Sequence, residues 1–150
     1  ADLMEEVLGK LSENSKIKIL LFGGGNKEKQ QLETWAARFK NTLSIAGKLT
    51  LAEELALISN LDAMLSMDSG NGHMAAMYGI PVISIWGVTH PYAGFRPFNQ
   101  PTENSLLPNL PQYPKIPTSV YGNKFPEGYE NAIRTISPQT VLKKIQEVLL

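Results

Sequence analysis

Cysteine is absent from the 150 residues, so no disulfide framework and no thiolate metal site is available. That absence accords with a reducing compartment. An excess of one charge is absent too: 14 basic residues face 14 acidic ones, a formal net charge of zero. Such a chain has no general electrostatic grip on nucleic acid. No apolar run approaches the roughly 20 residues that a membrane-spanning helix needs, and no signal-peptide pattern opens the chain. There are two histidines, and with the scattered carboxylates they form no recognisable metal-ligand spacing, so no metal site is expected. Internal repeats and low-complexity tracts are also missing. The length is that of one domain, 1–150, with enough chain for a real core.

What is present is organised around Leu61 to Gly87. Asp62 to Met67 is an apolar run of strand length, broken by Asp68-Ser69-Gly70-Asn71-Gly72-His73. Met74 to Tyr78 is small and apolar enough for a helix lying close on a sheet. Gly79 should end that helix and Pro81 bar its continuation, before a second strand-like run at Val82 to Trp86. Strand, helix and strand make a βαβ unit, which implies a parallel sheet with right-handed crossovers.

The rest of the chain alternates in the same way. Leu3, Met4, Val7, Leu8 and Leu11 recur at helical spacing, and Ile17 to Phe22 reads as a buried strand. After Gly23-Gly24-Gly25 a helix shows Leu32, Trp35, Ala36 and Phe39 on one face, and a short strand centres on Leu43-Ser44-Ile45. Thr50 and Glu53 have capping-box spacing ahead of a helix running to about Asn60. Ser137 followed by Pro138 predicts the start of a last helix through Val141, Leu142, Ile145, Val148 and Leu149. The expected class is α/β, a Rossmann-like doubly wound parallel sheet with helices on both faces. With strands named A at Leu20, B at Ser44, C at Leu65 and D at Ser84, the rich turns after A, C and D predict the order B–A–C–D. Residues 88–128 hold most of the ten prolines and form a long irregular segment, which Tyr92, Phe95 and Phe98 are expected to pack against the body.

In parallel sheets ligands bind beyond the carboxyl ends of the strands, and a helix N-terminus there favours phosphate. Asp68, Ser69, Gly70 and His73 meet at such an end. Ser69 and Gly70 offer N–H groups and a hydroxyl to a phosphate, and Gly70 and Gly72 keep side chains out of the way. Asp68 suits sugar hydroxyls, and His73 as a cation would counter phosphate charge. The plain alternative is that Asp68 caps the helix and His73 is an ordinary polar residue. The triple glycine is neither a dinucleotide fingerprint nor a P-loop, because the required spacings fail. Thr89, His90 and Arg96 follow strand D and reach the same edge, although His90 before Pro91 reads as a turn residue and a lone Arg96 as a surface partner. A Ser-His-Asp triad is not supported, since no Gly-x-Ser-x-Gly elbow exists.

The stretch GKLTLAEELALISNLDAMLSMDSGNGHMAAMYGIPVISIWGVTHPYAGF closely resembles the nucleotide-sugar-binding half of glycosyltransferase family nine, the ADP-heptose:lipopolysaccharide heptosyltransferases. The residues that carry the resemblance are Asp68, Ser69, Gly70, His73, Ala75, Ala76, Gly79, Pro81, Gly87 and Thr89, with Gly47-Lys48-Leu49 ahead of them. It covers about residues 17–99. It implies the carboxyl-terminal half of a two-domain GT-B enzyme that binds ADP-heptose and transfers the sugar, with inversion, to lipopolysaccharide core at the cytoplasmic face of a Gram-negative inner membrane. No cofactor beyond the donor is implied. By position, Asp68 would hold sugar hydroxyls, Ser69, Gly70 and His73 would surround the diphosphate, and Leu49 would lie against adenine. Gly24 and Glu28 would belong to the loop near the ribose, and Thr89 would line the same edge. The catalytic base would lie in an amino-terminal acceptor domain, so no catalytic residue is expected here. The opening ADLMEEVLGKL reads as the interior of a helix, so the chain is expected to be a piece of a longer protein, inactive alone. Relatives carry a strand between A and C; without it the four strands must close up or another chain must fill the gap. Another GT-B nucleotide-sugar transferase, or a non-catalytic nucleotide-binding module, is the alternative.

Overall fold

The computed structural model describes residues 2–150. The chain forms two compact units, one up to Leu57 and one from Ile58 onward.

The first unit contains α1 (Asp2–Ser12), β1 (Ile19–Leu21), α2 (Asn26–Arg38) and β2 (Thr42–Ser44), and runs into α3 (Leu51–Ile58). Its core is Leu8, Leu32, Trp35 and Ala46, with Met4, Ile19, Leu21 and Phe39 packed against it. Helical periodicity therefore gave the right face of both helices. A polar clasp joins them: the Trp35 indole N–H donates to Glu5 Oε1 at 3.0 Å, and Arg38 pairs with the other oxygen. The indole N–H, with the guanidinium beside it, holds the Glu5 carboxyl below the usual carboxylate range. β1 and β2 run parallel, with Leu20 opposite Leu43. The stretch expected to be a buried strand is shorter than Ile17 to Phe22, and all three of its strand residues are half-buried. A parallel strand is fully buried only where neighbours flank it on both sides and helices cover both faces. β1 pairs with β2 alone among the described residues. The capping box forms as read: the Thr50 N–H donates to Glu53 Oε2 at 2.8 Å, and the Glu53 N–H to Thr50 Oγ1 at 3.4 Å.

The second unit contains β3 (Met64–Ser66), α4 (Gly70–Met77), β4 (Val82–Ile85), β5 (Ser105–Leu106) and α5 (Pro138–Leu149). Its ladder is parallel throughout, in the order β3-β4-β5. β4 is central and buried along its whole length, as a strand between two neighbours should be. α4 ends in a Schellman motif. The Gly79 N–H bonds to Ala76 O at 3.0 Å and the Ile80 N–H to Ala75 O at 3.1 Å, with Gly79 at φ +76°. Ser137 caps α5 by accepting the Thr140 N–H at 3.1 Å, and Val141 and Ile145 face inward.

The pairings B–A and C–D are thus present as β2–β1 and β4–β3. The A–C junction of the expected order B–A–C–D is not: the described strands lie in two separate ladders, and β5 joins beyond D. Rich turns mark where strands end, and they carry no information on which strand edges meet. Polar contacts help to hold the irregular segment. The Gln100 side chain accepts the Val82 N–H at 2.7 Å and donates to Ile80 O at 3.2 Å, standing in for a strand neighbour. Of the three aromatics expected to pack the segment against the body, Phe95 meets Tyr121 at 5.8 Å between ring centres and Tyr92 meets His90 edge-on at 4.6 Å, both partners lying within the segment itself. Tyr92 and Phe98 are 81% and 74% exposed, so they do not hold it. Tyr113 and Tyr129 do that work instead, edge to face at 5.1 Å. No helix among the described residues is long and apolar enough to cross a membrane.

Candidate functional site

β3 and β4 are parallel and in register, Met64 opposite Val82 and Ser66 opposite Ser84, so their carboxyl ends open on one rim. Met67, Asp68 and Ser69 leave β3 at that rim, all exposed, and Ser69 becomes the N-cap of α4 with extended backbone, φ −147° and ψ 156°. Among the described residues no side chain caps this helix. The first N–H groups of a helix have no intrahelical partner and carry its partial positive charge. An open, uncapped N-terminus therefore faces out beside Asp68. The plain reading of Asp68 as the cap is not what forms.

The two glycines of the turn differ. A Cβ on Gly70 would meet nothing within 4 Å, whereas one on Gly72 would lie 2.7 Å from Ser66 Oγ and 3.0 Å from Ser66 Cβ. Gly72 is buried, so it serves the approach of α4 to β3 and not, as expected, a ligand. His73 follows Gly70 by three positions on α4 and is half-buried. No side-chain hydrogen bond or ion pair links Asp68 or His73 to another described residue.

Ser66 is the residue that sequence reasoning missed. It sat inside a run read only as an apolar strand, yet its hydroxyl donates to Met67 O at 2.6 Å and lies 3.0 Å from Ser69 Oγ. The signal available was a small polar residue two positions before Asp68 and six before a glycine on the next helix.

Thr89 follows β4 to the same rim, but it is buried, and Gly122 lies over it so closely that a Cβ there would be 2.8 Å from the Thr89 methyl. Arg96 donates to Thr102 Oγ1 at 2.8 Å. His90 accepts the Tyr92 N–H on Nδ1 at 3.2 Å, which makes it the turn residue that was expected. Burial pushes its imidazole pKa down. The unfolded chain, with the ordinary value, binds the proton more readily. The stabilisation is therefore complete above the unfolded pKa and is lost as pH falls through the lower folded one. Between about pH 7.5 and about pH 5 the melting temperature should fall more steeply for the wild type than for His90→Gln. Parallel curves in a melting series would refute this.

Gly24, Glu28 and Leu49 belong to the first unit. The Gly24 N–H donates to Glu28 Oε2 at 2.7 Å, which folds the glycine loop over the first turn of α2. Gly23 allows this, since a Cβ there would be 2.8 Å from both Glu28 Cδ and Leu32 Cδ1. Leu49 is half-buried between the left-handed turn at Gly47 and the cap at Thr50. Asp68, Ser69, Gly70, His73 and Thr89 belong to the second unit. There the segment left unread by sequence, 100–136, also borders a half-open apolar pocket of about 190 Å3, lined by Gly87, Val88, Phe125, Tyr129, Glu130 and Ile133.

A family model described as glycosyltransferase family 9 (heptosyltransferase) matches residues 3–148. The chain belongs to glycosyltransferase family 9. Among relatives of this family-9 chain, lipooligosaccharide heptosyltransferase 2 of Haemophilus influenzae is 31% identical over 108 residues, 71% of this chain and 29% of the relative. Lipopolysaccharide heptosyltransferase 1 of Campylobacter coli is 27% identical over 142 residues, 92% of this chain and 38% of the relative. The family-9 chain thus spans well under half the length of these curated relatives. Among solved structures, the family 9 glycosyl transferase of Veillonella parvula aligns at a TM-score of 0.71 and 18% identity, covering 99% of this chain and 40% of that one. E. coli heptosyltransferase WaaC with ADP aligns at 0.68 and 21%, covering 98% and 38%. The shared fold is α/β with parallel strands, as the sequence implied.

Proposed function

We propose that this chain is the donor-binding half of an inverting heptosyltransferase that moves heptose from ADP-heptose to a lipopolysaccharide core sugar. The observation that carries this reading is the uncapped N-terminus of α4 at the carboxyl rim of β3, with Asp68 and His73 free beside it, in a family-9 chain. The diphosphate leaving group docks on the N–H groups of Ser69, Gly70 and their neighbours. Fixed donors aimed at that group stabilise the charge that develops as the glycosidic bond breaks. His73 adds positive charge when protonated, and Asp68 accepts hydrogen bonds from the sugar. In the same reading Thr89 stands behind the diphosphate at the same rim. The acceptor sugar and the general base come from an amino-terminal domain, and the enzyme works at the cytoplasmic face of the inner membrane. No cofactor takes part beyond the donor. The likeness to E. coli heptosyltransferase WaaC, solved with ADP, lends support to the choice of nucleotide.

Isothermal titration of the 150-residue chain with ADP, UDP and GDP tests the reading. Selective binding of ADP is the expected result. Equal affinity for all three would leave a nucleotide site without the proposed donor, and no heat with any of them would remove the site.

A further inference from the structure

The hydroxyl of Ser69 is not free to act alone. Ser66 Oγ carries one proton and gives it to Met67 O, a carbonyl that only accepts, at 2.6 Å. The 3.0 Å contact between Ser66 Oγ and Ser69 Oγ must then use the proton of Ser69. In the free protein the chain of donors therefore runs inward, from Ser69 to Ser66 to Met67 O. The outer side of the Ser69 oxygen presents lone pairs, which is the wrong polarity for an anion at the mouth of α4.

We infer that Ser66 is a positioning residue for the diphosphate site proposed above, and that the Ser66–Ser69 hydroxyl pair reverses its direction when an anion docks. A hydrogen bond to an ionised oxygen is stronger than one between neutral hydroxyls, so phosphate draws the Ser69 proton outward. The Ser66 proton then turns from Met67 O to the vacated lone pair of Ser69. Met67 itself is exposed at the rim. The reversed chain, Ser66 to Ser69 to phosphate, polarises along its length and makes Ser69 a better donor than an isolated serine. Ser66 itself is buried, and Gly72 fixes where it stands, because α4 comes closest to β3 over its Oγ and Cβ. Ser66 thus never touches the ligand and acts only through Ser69.

The inference rests on the donor-binding reading, and a double-mutant cycle separates the two. Ser66→Ala keeps the Cβ against Gly72, and thermal melts check that each variant folds. ADP, inorganic pyrophosphate and adenosine are titrated into wild type, Ser66→Ala, Ser69→Ala and the double variant. Ser69→Ala should weaken ADP and pyrophosphate roughly tenfold, and Ser66→Ala roughly three- to fivefold, as one charge-assisted bond and its support would. Ser66→Ala should then cost nothing further when Ser69 is already alanine. Adenosine, which has no phosphate, should bind all four proteins alike. The inference is overturned if Ser66→Ala has no effect, has the same effect in both backgrounds, or weakens adenosine as much as ADP. Pyrophosphate binding without ADP binding would reject the nucleotide donor and still leave the cycle readable on pyrophosphate. Binding of neither would end both.

Discussion

Gly72→Val is expected to lower the unfolding free energy by about 3 kcal/mol, the upper end of the range for overpacking a close-packed site. Even a methyl group at residue 72 would sit 2.7 Å from Ser66 Oγ and 3.0 Å from Ser66 Cβ, with a Val82 methyl at 3.6 Å. The far end of a long side chain could swing away, but Ser66 Cβ is fixed to the backbone of β3. Valine adds two further methyl groups and a branched Cβ with little rotamer choice in a helix. α4 must then lift off the ladder, which uncovers Ala75 and Ala76, both buried. Gly72→Ala sets two effects against each other. Alanine gains about 1 kcal/mol of helix propensity over glycine, while the clash costs about 1–3 kcal/mol. The clash should win by a small margin. Urea unfolding followed by circular dichroism checks both, and a Gly72→Val midpoint equal to wild type would show that α4 does not sit as close to β3 as described.

Asp68→Ala and His73→Ala should leave the fold intact and weaken ADP-heptose binding by tenfold or more each. Neither side chain has a hydrogen-bond or ion-pair partner among the described residues; Asp68 is exposed, and such surface substitutions change stability by about 0.5 kcal/mol or less, while half-buried His73 should cost about 1 kcal/mol. A hydrogen bond to a charged group contributes about 1.5–3 kcal/mol, enough for a loss of that order. The two variants should differ in what they lose. His73→Ala should weaken ADP itself, because in the proposed site its imidazole would lie beside the diphosphate. Asp68→Ala should weaken the nucleotide sugar more than ADP, because in the proposed site its carboxylate would accept from the sugar hydroxyls. Titrations of each variant with both ligands measure this. Wild-type affinity in either variant would take that residue out of the site.

The parts of the fold that could be read from sequence were those fixed by neighbours in sequence. Thr50 with Glu53, Ser137 with Pro138, and Gly79 after an alanine-rich helix each announce a helix end within four residues, and each forms as read. Helical faces were legible for the same reason, since Leu32 and Trp35 repeat at the helix period and are buried. What failed depends on residues far apart in sequence. β5 is two residues long and exists because Ser105 and Leu106 lie beside Ser84 and Ile85, which no local pattern reveals. The edge on which β1 pairs was not readable from its turns. At the site, the cluster from Asp68 to His73 was legible as a turn opening a helix at a strand end. The separate duties of its glycines were not, because the demand on Gly72 comes from Ser66 on the preceding strand. Thr89 was placed at the same edge on similar grounds, and its burial under the returning chain at Gly122 was not readable locally.

The Gln100 amide has a consequence for how the irregular segment tolerates change. It anchors the segment at the amino end of β4, through Val82 and Ile80, while Thr118 anchors it beyond the carboxyl end by donating to Val88 O at 3.0 Å. The chain between those two anchors is a strap buckled at both ends of one strand. Between the buckles Ser105 and Leu106 lie on β4, so an insertion elsewhere in the strap should leave β4 held, provided that both buckles and that short ladder stay.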